Sequence, residues 1–394
     1  MIRLEDILKY EKYLIEKRRY IHQHPESGFD VHNTAKLVAN ELKNFGFQVY
    51  EGVGISSVIG VLKGTQSKKV IGLRADMDAL NMNEENESIS YKSCVPGKMH
   101  ACGHDTHTAM LLAACHYFKD HKDQIKGTLK VIFQAAEEGP YPGGGKLVIE
   151  SGLLDDVDEF YAMHITNTIP VGKMTIKYGE AMAASDQFTI EIIGKGGHAA
   201  YPHLAVDPIV ISAQVILGLQ TLISRILDPT NHGVITIGVV EAGTAFNIIP
   251  NKAILKGTLR TLNEIDRAHM FQKIEDVTNH ICQIYDATYE FKIGVGYPPL
   301  INHEQTSAFY QSVIEQSLGS DAFIPNNKPS MGGEDFAYYI KKAKGTLAWL
   351  GGRNEELGYI YDNHHPRFDI DEKALIKGTL VHINTVLEFF GSVK

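Results

Sequence analysis

Side chains that bind metals or act as nucleophiles are concentrated in the segment 99–114, which reads MHACGHDTHTAMLLAA. Cys102 and His104 are separated by one glycine, and Asp105 and His107 follow directly. The apolar residues that come next predict a polar loop running into a buried helix. A thiolate and an imidazole on one short loop suit Zn, Mn, Fe or Co, although a cysteine near a helix N-terminus can also be a nucleophile. A small buried cysteine beside surface histidines would not explain this density, so we favour a metal site.

Two further segments bring ligand-type side chains to the ends of predicted strands. The strand pattern TLKVIFQ is followed by Glu137 and Glu138, and the pattern FYAMHI contains His164 near its end. Neighbouring side chains on an extended backbone point in different directions, so one glutamate can ligate a metal while the other acts as a general base. Since ligands of α/β sheets bind at the carboxyl ends of strands, the sequence predicts a metal centre at one sheet edge.

A pair of aspartates, Asp76 and Asp78, follows the buried strand pattern VIGLRA. An aspartate in this position can orient a ligand imidazole through a hydrogen bond, and we assign that role to Asp76. Two aspartates at a strand end are also a common turn signal, and the sequence alone leaves both interpretations open.

Composition narrows the class of protein. A chain of 394 residues exceeds what one core usually serves, so two domains are expected. There are 38 Lys and Arg against 47 Asp and Glu, and the net charge of −9 disfavours nucleic acid as a partner. Without a run of about eighteen apolar residues or a signal peptide at the start, we expect no association with a membrane. Four cysteines in this length are not a disulfide framework, which indicates a reducing cytoplasm.

The pattern changes near residue 184 and reads strand, helix, strand, strand, helix, strand up to residue 294. This βαββαβ order is typical of a small sheet with two helices on one face. We therefore predict an α/β protein with a mixed-sheet catalytic domain in two parts, 1–184 and 295–394, with helices on both sheet faces. An α+β domain, 185–294, is inserted between them. The predicted inserted elements are Phe188–Ile193, Asp207–Ile226, Val234–Val240, Ala253–Arg260, Glu264–Tyr285 and Thr288–Ile293.

The inserted segment carries candidate substrate-binding residues of its own. The glycines of the loop GKGGH allow close approach to a ligand, and His198 at its end can donate to a developing oxyanion. Asn247 in FNIIPN and Arg260 can hold a carboxylate, the arginine through two parallel hydrogen bonds. Each of the three is equally compatible with an ordinary hairpin or surface position.

The assembled segments resemble the metal-dependent aminoacylase and carboxypeptidase superfamily along nearly the whole chain. The similar branch contains hippurate hydrolases, N-acetyl-diaminopimelate deacetylases and plant auxin-conjugate amidohydrolases. The matching segments are RRYIHQHPESGF, LRADMDAL, MHACGHDTHTAMLLAA, FQAAEEG, GKGGHAAYPH, VDP, FNIIPN, GTLRT, MGGEDF and HHPRFDIDE.

The resemblance implies two divalent ions, Mn or Zn with Co as a further option, and it implies their ligands. Between His364 and His365, the pattern places the ligand two residues before Pro366, which selects His364. The implied ligand set is Cys102, His104, Glu138, His164 and His364.

The resemblance also implies roles for the remaining candidates. Glu137 is the implied general base and later acid, His198 and Asn247 contact the substrate, and Arg260 anchors a carboxylate. The resemblance further implies that the inserted domain is a lid and dimerisation domain, giving a homodimer or a tetramer, and that His198 enters the partner subunit's site. The implied reaction is hydrolysis of the amide bond of N-acetyl or N-benzoyl amino acids by a water that the two ions activate.

Three alternatives compete with this interpretation. A dipeptidase or carboxypeptidase of the same superfamily would share all of the machinery. A hydrolase with Cys102 as nucleophile, paired with His104 or His107, would resist chelators and be sensitive to alkylation. A non-catalytic binding protein on the same fold would bind the small molecule without cleaving it.

Overall fold

The structure is a computed structural model, and it describes residues 1–391. These residues form two units. The first comprises Met1–Gly179, Asn302–Lys328 and the residues from Asp335 onward, and the second comprises Glu180–Ile301 and Pro329–Glu334. The second unit extends beyond the predicted range 185–294 at both ends, because the flanking strands at 179–182 and 300–302 pair with each other.

The strands are named here in chain order. They are β1 (Gln48–Val53), β2 (Ser57–Lys63), β3 (Val70–Asp76), β4 (Thr128–Gln134), β5 (Glu159–Pro170), β6 (Met174–Thr175), β7 (Gly179–Met182), β8 (Asp186–Ile193), β9 (Gly197–His198), β10 (Gly233–Ala242), β11 (Ile248–Ile249), β12 (Lys252–Thr261), β13 (Thr288–Gly294), β14 (Leu300–Asn302) and β15 (Lys344–Arg353).

The α-helices are named in the same way. They are α1 (Glu11–Gln23), α2 (His32–Asn44), α3 (His104–Asp120), α4 (Gly144–Glu150), α5 (Pro208–Thr221), α6 (Glu264–Ile284), α7 (Glu304–Leu318), α8 (Ala337–Lys342) and α9 (Lys373–Gly391).

A mixed sheet forms the centre of the first unit, with strand order β1-β2-β4-β3-β5-β15-β6. β3 pairs in parallel with β4 and β5, and β5 pairs in parallel with β15, while the other neighbours are antiparallel. The parallel register places Asp76 opposite Gln134 and Arg74 opposite Ala162. The residues that follow these three strands therefore come together at one edge of the sheet, as predicted for the site.

Both faces of this sheet are covered, which explains why its strands are apolar runs rather than alternating patterns. Leu73 and Ala75 of β3 belong to the same buried cluster as side chains of α3 and α9. The alternate positions face the opposite way, where Arg74 reaches Asp335 beside α8 at 2.8 Å. At Gly72, an added Cβ would lie 2.5 Å from the ring of Phe160, so the position has no room for a side chain. The predicted mixed sheet with helices on both faces is confirmed.

The second unit contains an antiparallel sheet with strand order β10-β12-β8-β13. Buried residues alternate with more exposed ones along β12, and its Leu255 and Leu259 form one cluster with side chains of α5 and α6. The predicted βαββαβ order is thus confirmed. The helix predicted over Asp207–Ile226 is observed as α5 followed by a π-helical turn, Leu222–Ile226.

One helix of the second unit bears on the prediction that the protein does not associate with a membrane. The helical stretch Pro208–Ile226 is long and apolar enough to cross a membrane by length and composition, with a mean hydropathy of 1.7. Isolated small and polar residues interrupt this stretch, so it is not an unbroken apolar run. In the structure, Ile211, Val215 and Leu219 pack in the core of the second unit, as in a helix that lies on a sheet.

Candidate metal centre

The loop before α3 positions two candidate donors through a glycine. Gly103 lies between Cys102 and His104 with a φ of +85°, a conformation that other residues rarely adopt. A Cβ at Gly103 would also lie 2.2 Å from the side chain of Ile165. Both observations require glycine here, and the resulting turn places the Cys102 thiol and the His104 imidazole on the same side of the β3–β5 edge.

The five predicted ligands come together in the first unit. In the group Cys102, His104 and His164, the donor atoms all lie within 4.8 Å of one another, and the same holds for Cys102, Glu138 and His364. Cys102 Sγ lies 3.4 Å from His164 Nε2. Cys102 is common to both groups, and the residues present fit a centre that would hold two divalent ions.

The histidines expose the lone pair that a metal requires. His104 Nδ1 donates to the carbonyl of Asp78 at 2.8 Å, and His164 Nδ1 donates to the carbonyl of Ile165 at 2.7 Å. In each neutral ring, Nε2 is therefore the unprotonated nitrogen. His104 Nε2 is buried and has no hydrogen-bond partner within residues 1–391. A buried nitrogen without a hydrogen-bond partner is costly unless a cation, either a proton or a metal ion, occupies its lone pair, so these residues fit a metal.

Asp78 holds the two glutamates, a role that the sequence analysis missed. Its carboxylate oxygens accept the backbone N–H groups of Glu137 and Glu138, each at 3.0 Å. The preceding Ala136 has a φ of +57°, which turns the chain at this point. Glu138 Oε1 then lies 2.9 Å from His364 Nε2, and Glu137 Oε2 lies 3.9 Å from His104 Nε2. The general-base candidate is thus buried beside the donor set.

Asp76 has a different partner from the predicted ligand imidazole. Its Oδ1 lies 2.6 Å from His107 Nδ1, whereas His104 Nε2 is 3.9 Å from its other oxygen. His107 Nε2 accepts the backbone N–H of Ile165 at 2.8 Å, so both nitrogens of this ring are engaged. Asp76 therefore orients a structural histidine that fixes the backbone next to His164. The prediction that Asp76 orients a ligand imidazole is therefore corrected. The ligand His104 is oriented by the backbone carbonyl of Asp78, and the Asp76 carboxylate bonds to His107 instead.

The segment carrying His364 is tied to the cysteine loop. His364 has a φ of +68°, and its backbone N–H donates to the carbonyl of Ala101 at 2.8 Å. The amide of Asn363 donates to the Cys102 carbonyl at 3.0 Å. His365 points elsewhere and stacks on Tyr361 with ring centroids 4.3 Å apart. The geometry therefore favours His364 over its neighbour as a donor.

The local charges argue against a free nucleophilic thiolate. Burial and the nearby carboxylates of Glu138 and Glu137 raise the pKa of the Cys102 thiol well above its ordinary value. A nucleophilic cysteine usually has a lowered pKa instead. Burial lowers the pKa of His104, but the Asp76 and Asp78 carboxylates outweigh it and raise that pKa to about 10. A carboxylate-rich site of this kind favours cations, and a bound cation would deprotonate the thiol.

The predicted substrate-binding residues of the second unit lie in two different places. His198 on β9 pairs with Ile248 on β11, and together with Asn247 it lines a cavity of about 720 Å³. Arg260 lies on β12 opposite Val234 and is not among the residues that line this cavity. The structure therefore brings His198 and Asn247 together and places Arg260 apart from them.

Comparison with known proteins gives consistent matches over the whole chain. The sequence profile of Peptidase family M20/M25/M40 matches residues 72–388. The chain is 40% identical to thermostable carboxypeptidase 1 of Saccharolobus solfataricus, over 98% of this chain and 97% of the relative. It is 38% identical to hippurate hydrolase of Campylobacter jejuni, over 98% of this chain and 99% of the relative. The Bacillus subtilis YXEP protein, described as a dinuclear metal-binding peptidase of the M20 family, superposes with a TM-score of 0.83 at 31% identity, covering 98% and 99% of the two chains.

Proposed function

Because the chain belongs to Peptidase family M20/M25/M40 and is a metal-dependent amide hydrolase of its amidohydrolase branch, we propose that it cleaves the amide bond of N-acyl amino acids. The observation that carries the proposal is the convergence of five donors around a shared Cys102, with the buried Glu137 carboxylate beside them. The similarity to a hippurate hydrolase over nearly the full length supports an acylated amino acid as the substrate class.

The donor set would hold two divalent ions, with Mn or Zn as our proposal and Co as a further option. When bound, such ions act as Lewis acids and make water more acidic. The proposed donors are Cys102, His104, Glu138, His164 and His364.

The chain's own residues then account for the proton transfers. Glu137 takes a proton from the attacking water, and the oxygen forms a bond to the amide carbonyl carbon. When the carbon–nitrogen bond breaks, Glu137 returns the proton to the leaving amine, which yields a carboxylate and an amino acid. Asp78 keeps Glu137 in place through its backbone N–H, so the base does not have to reorganise during the reaction. His198 and Asn247 remain predicted substrate contacts.

A carboxypeptidase or dipeptidase is the second candidate, because the chain is 40% identical to a protein named thermostable carboxypeptidase 1. It requires the same donors and the same base. The two candidate functions differ in the group on the acyl side of the scissile amide. This group is an acetyl or benzoyl group for the N-acyl amino acid hydrolase and an amino acid for the carboxypeptidase or dipeptidase.

One assay separates these functions. Chelator-stripped protein is supplied with Mn, Zn or Co and tested side by side on N-acetyl amino acids, N-benzoyl amino acids and dipeptides. We expect activity to return with metal and to be highest on an N-acyl amino acid. Preference for dipeptides would support the second candidate. Activity that survives stripping would favour Cys102 as a nucleophile, and two bound ions without turnover on any substrate would favour a binding protein.

The proposed assembly is a homodimer through the second unit. Ile209, Val210 and Leu217 of α5 are exposed, as are Val239 and Val240 of the edge strand β10. An exposed apolar helix beside an open strand edge is a common basis for a symmetric interface. Light scattering should give twice the chain mass, and Leu217→Glu should reduce it to the monomer; a monomeric wild type would contradict this assembly.

A further inference from the structure

A buried ion cluster lies around Arg18 of α1, outside the donor set. The guanidinium is fully buried and contacts three carboxylates: Nε reaches Asp105 at 2.8 Å, Nη2 reaches Asp369 at 2.6 Å and Nη1 reaches Glu372 at 3.2 Å. It also stacks over the ring of Tyr91 at 4.6 Å from the ring centroid. All of the hydrogen-bonding nitrogens of the side chain are therefore used, and each in a fixed direction.

Two of these carboxylates belong to the segments that carry donors. Asp105 directly follows His104 in the first turn of α3, and Asp369 lies in the segment that begins with His364. Arg18 bonds to both aspartates, which are separated by more than 260 positions in the chain. One rigid fork thus spans the two donor-bearing segments.

Further bonds hold each aspartate from its other side. His22 Nδ1 lies 2.8 Å from the Asp105 oxygen that Arg18 also contacts. The Tyr91 hydroxyl donates to Asp369 at 2.8 Å. Neither aspartate can rotate away without leaving a buried charge uncompensated, so the spacing between the two segments is strongly specified.

Stability alone is a weak explanation for such a cluster. Burying an arginine with several carboxylates costs desolvation that its attractions only offset, and an apolar cluster of equal volume is often as stable. Fixed geometry is what an ionic fork provides and apolar packing does not.

We propose that Arg18 is a positioning residue of the metal centre, which sets the spacing between the His104 turn and the His364 segment before an ion binds. The inference rests on the proposed metal ligands. It concerns how those ligands are arranged, since Arg18 itself contacts none of them within residues 1–391.

Arg18→Lys is the primary variant, because an ammonium keeps the charge but cannot bond in three fixed directions. Arg267→Lys is the matched control. Arg267 forms a similar fork in the second unit, with two nitrogens each 2.7 Å from the oxygens of the buried Asp186, and a further contact to Glu264. Both substitutions disrupt an arginine fork on a buried aspartate, with Arg18 fully buried and Arg267 partly buried, but only the first disturbs the donor-bearing segments.

The experiment is a calorimetric titration of chelator-stripped protein with Zn²⁺ or Mn²⁺, together with the melting temperature of the metal-free form. For Arg18→Lys we expect at least one ion to bind about 10- to 100-fold more weakly, the range typical of groups that orient ligands. Arg267→Lys should lower the melting temperature while both ions bind within about twofold of the wild-type affinity.

Unchanged metal affinity in Arg18→Lys would overturn the inference, even if its melting temperature falls. If Arg18→Lys does not fold, Tyr91→Phe tests the same inference, because it removes only the hydrogen bond from the Tyr91 hydroxyl to Asp369. A several-fold loss of metal affinity in Tyr91→Phe supports the inference, and wild-type affinity contradicts it. Failure of the wild type to bind two ions would instead refute the proposed function, which keeps the two failures distinct.

Discussion

The two units present their chemistry in opposite ways. In the first, Cys102, His104 and His164 are buried, and the imidazoles are fixed by backbone carbonyls. In the second, His198 and Asn247 are exposed on a short strand pair and its loop. The first arrangement suits groups that must hold a fixed geometry around ions, and the second suits groups that adapt to a ligand. The comparison indicates that changes at the buried donors of the first unit alter metal binding or stability, whereas changes at His198 and Asn247 alter substrate handling alone.

The largest expected effect is that of Glu137→Gln. Removing a general base typically lowers kcat by about 10²- to 10⁴-fold, and the amide keeps the size of the side chain. Because Glu137 is not in the proposed donor set, the variant should still bind two ions. Glu138→Gln is the control, and it should lose metal affinity. Near-normal turnover of Glu137→Gln would remove this residue from the mechanism.

His198→Ala tests whether an exposed residue of the second unit affects catalysis without affecting stability or metal binding. If the imidazole stabilises a developing oxyanion, kcat/KM should fall by about 10²-fold. The exposed position predicts an unchanged melting temperature and unchanged metal content. The measurement is steady-state kinetics beside calorimetry; a large drop in metal affinity would break the distinction between the two units.

Asp78→Asn should give a mixed effect. The asparagine retains one acceptor oxygen, but its NH₂ group would face a backbone N–H of Glu137 or Glu138. We expect a loss of about 2 kcal/mol in the free energy of unfolding, the usual cost of one unsatisfied buried group. Turnover should fall about tenfold through the displaced base. Denaturant unfolding measures the free energy of unfolding, and steady-state kinetics measures turnover. A variant in which both equal the wild-type values would show that Asp78 does not hold the two glutamates.

An effect of pH on stability is also expected. Burial lowers the pKa of His22, but the Asp105 carboxylate outweighs it and raises that pKa to about 9. Because the folded pKa exceeds the unfolded value, this histidine stabilises the fold fully below about pH 6.5, and the contribution disappears as the pH rises through 9. The His22 contribution to the free energy of unfolding of the metal-free protein should therefore fall by about 3 kcal/mol between pH 6.5 and 9.5. His104, whose pKa is also raised, contributes a fall of its own in this window, so the fall in His22→Gln should be smaller than in the wild type. An equal fall in both proteins would assign it to groups other than His22.

Much of the fold and the donor set could be predicted because their signals are local. Cys102, His104 and Glu138 each follow a recognisable strand or precede a helix, and the βαββαβ order is visible in apolar periodicity. The supporting contacts have no local signal. Arg18 bonds to Asp369 across most of the chain, and the choice between Asp76 and Asp78 depends on which carbonyl and which imidazole the folded loops bring near. For this reason the prediction that Asp76 orients a metal-binding histidine was wrong, since Asp76 bonds to His107, which is outside the proposed donor set.

The most direct test concerns the shared donor. Equilibrium dialysis of chelator-stripped protein against Zn²⁺ or Mn²⁺ counts the ions bound by the wild type and by Cys102→Ser. Because Cys102 belongs to both donor groups, we predict two ions per chain for the wild type and weakened binding of both in the variant. Two ions bound with wild-type affinity in Cys102→Ser, or the loss of only one, would contradict the assignment of Cys102 to both donor groups.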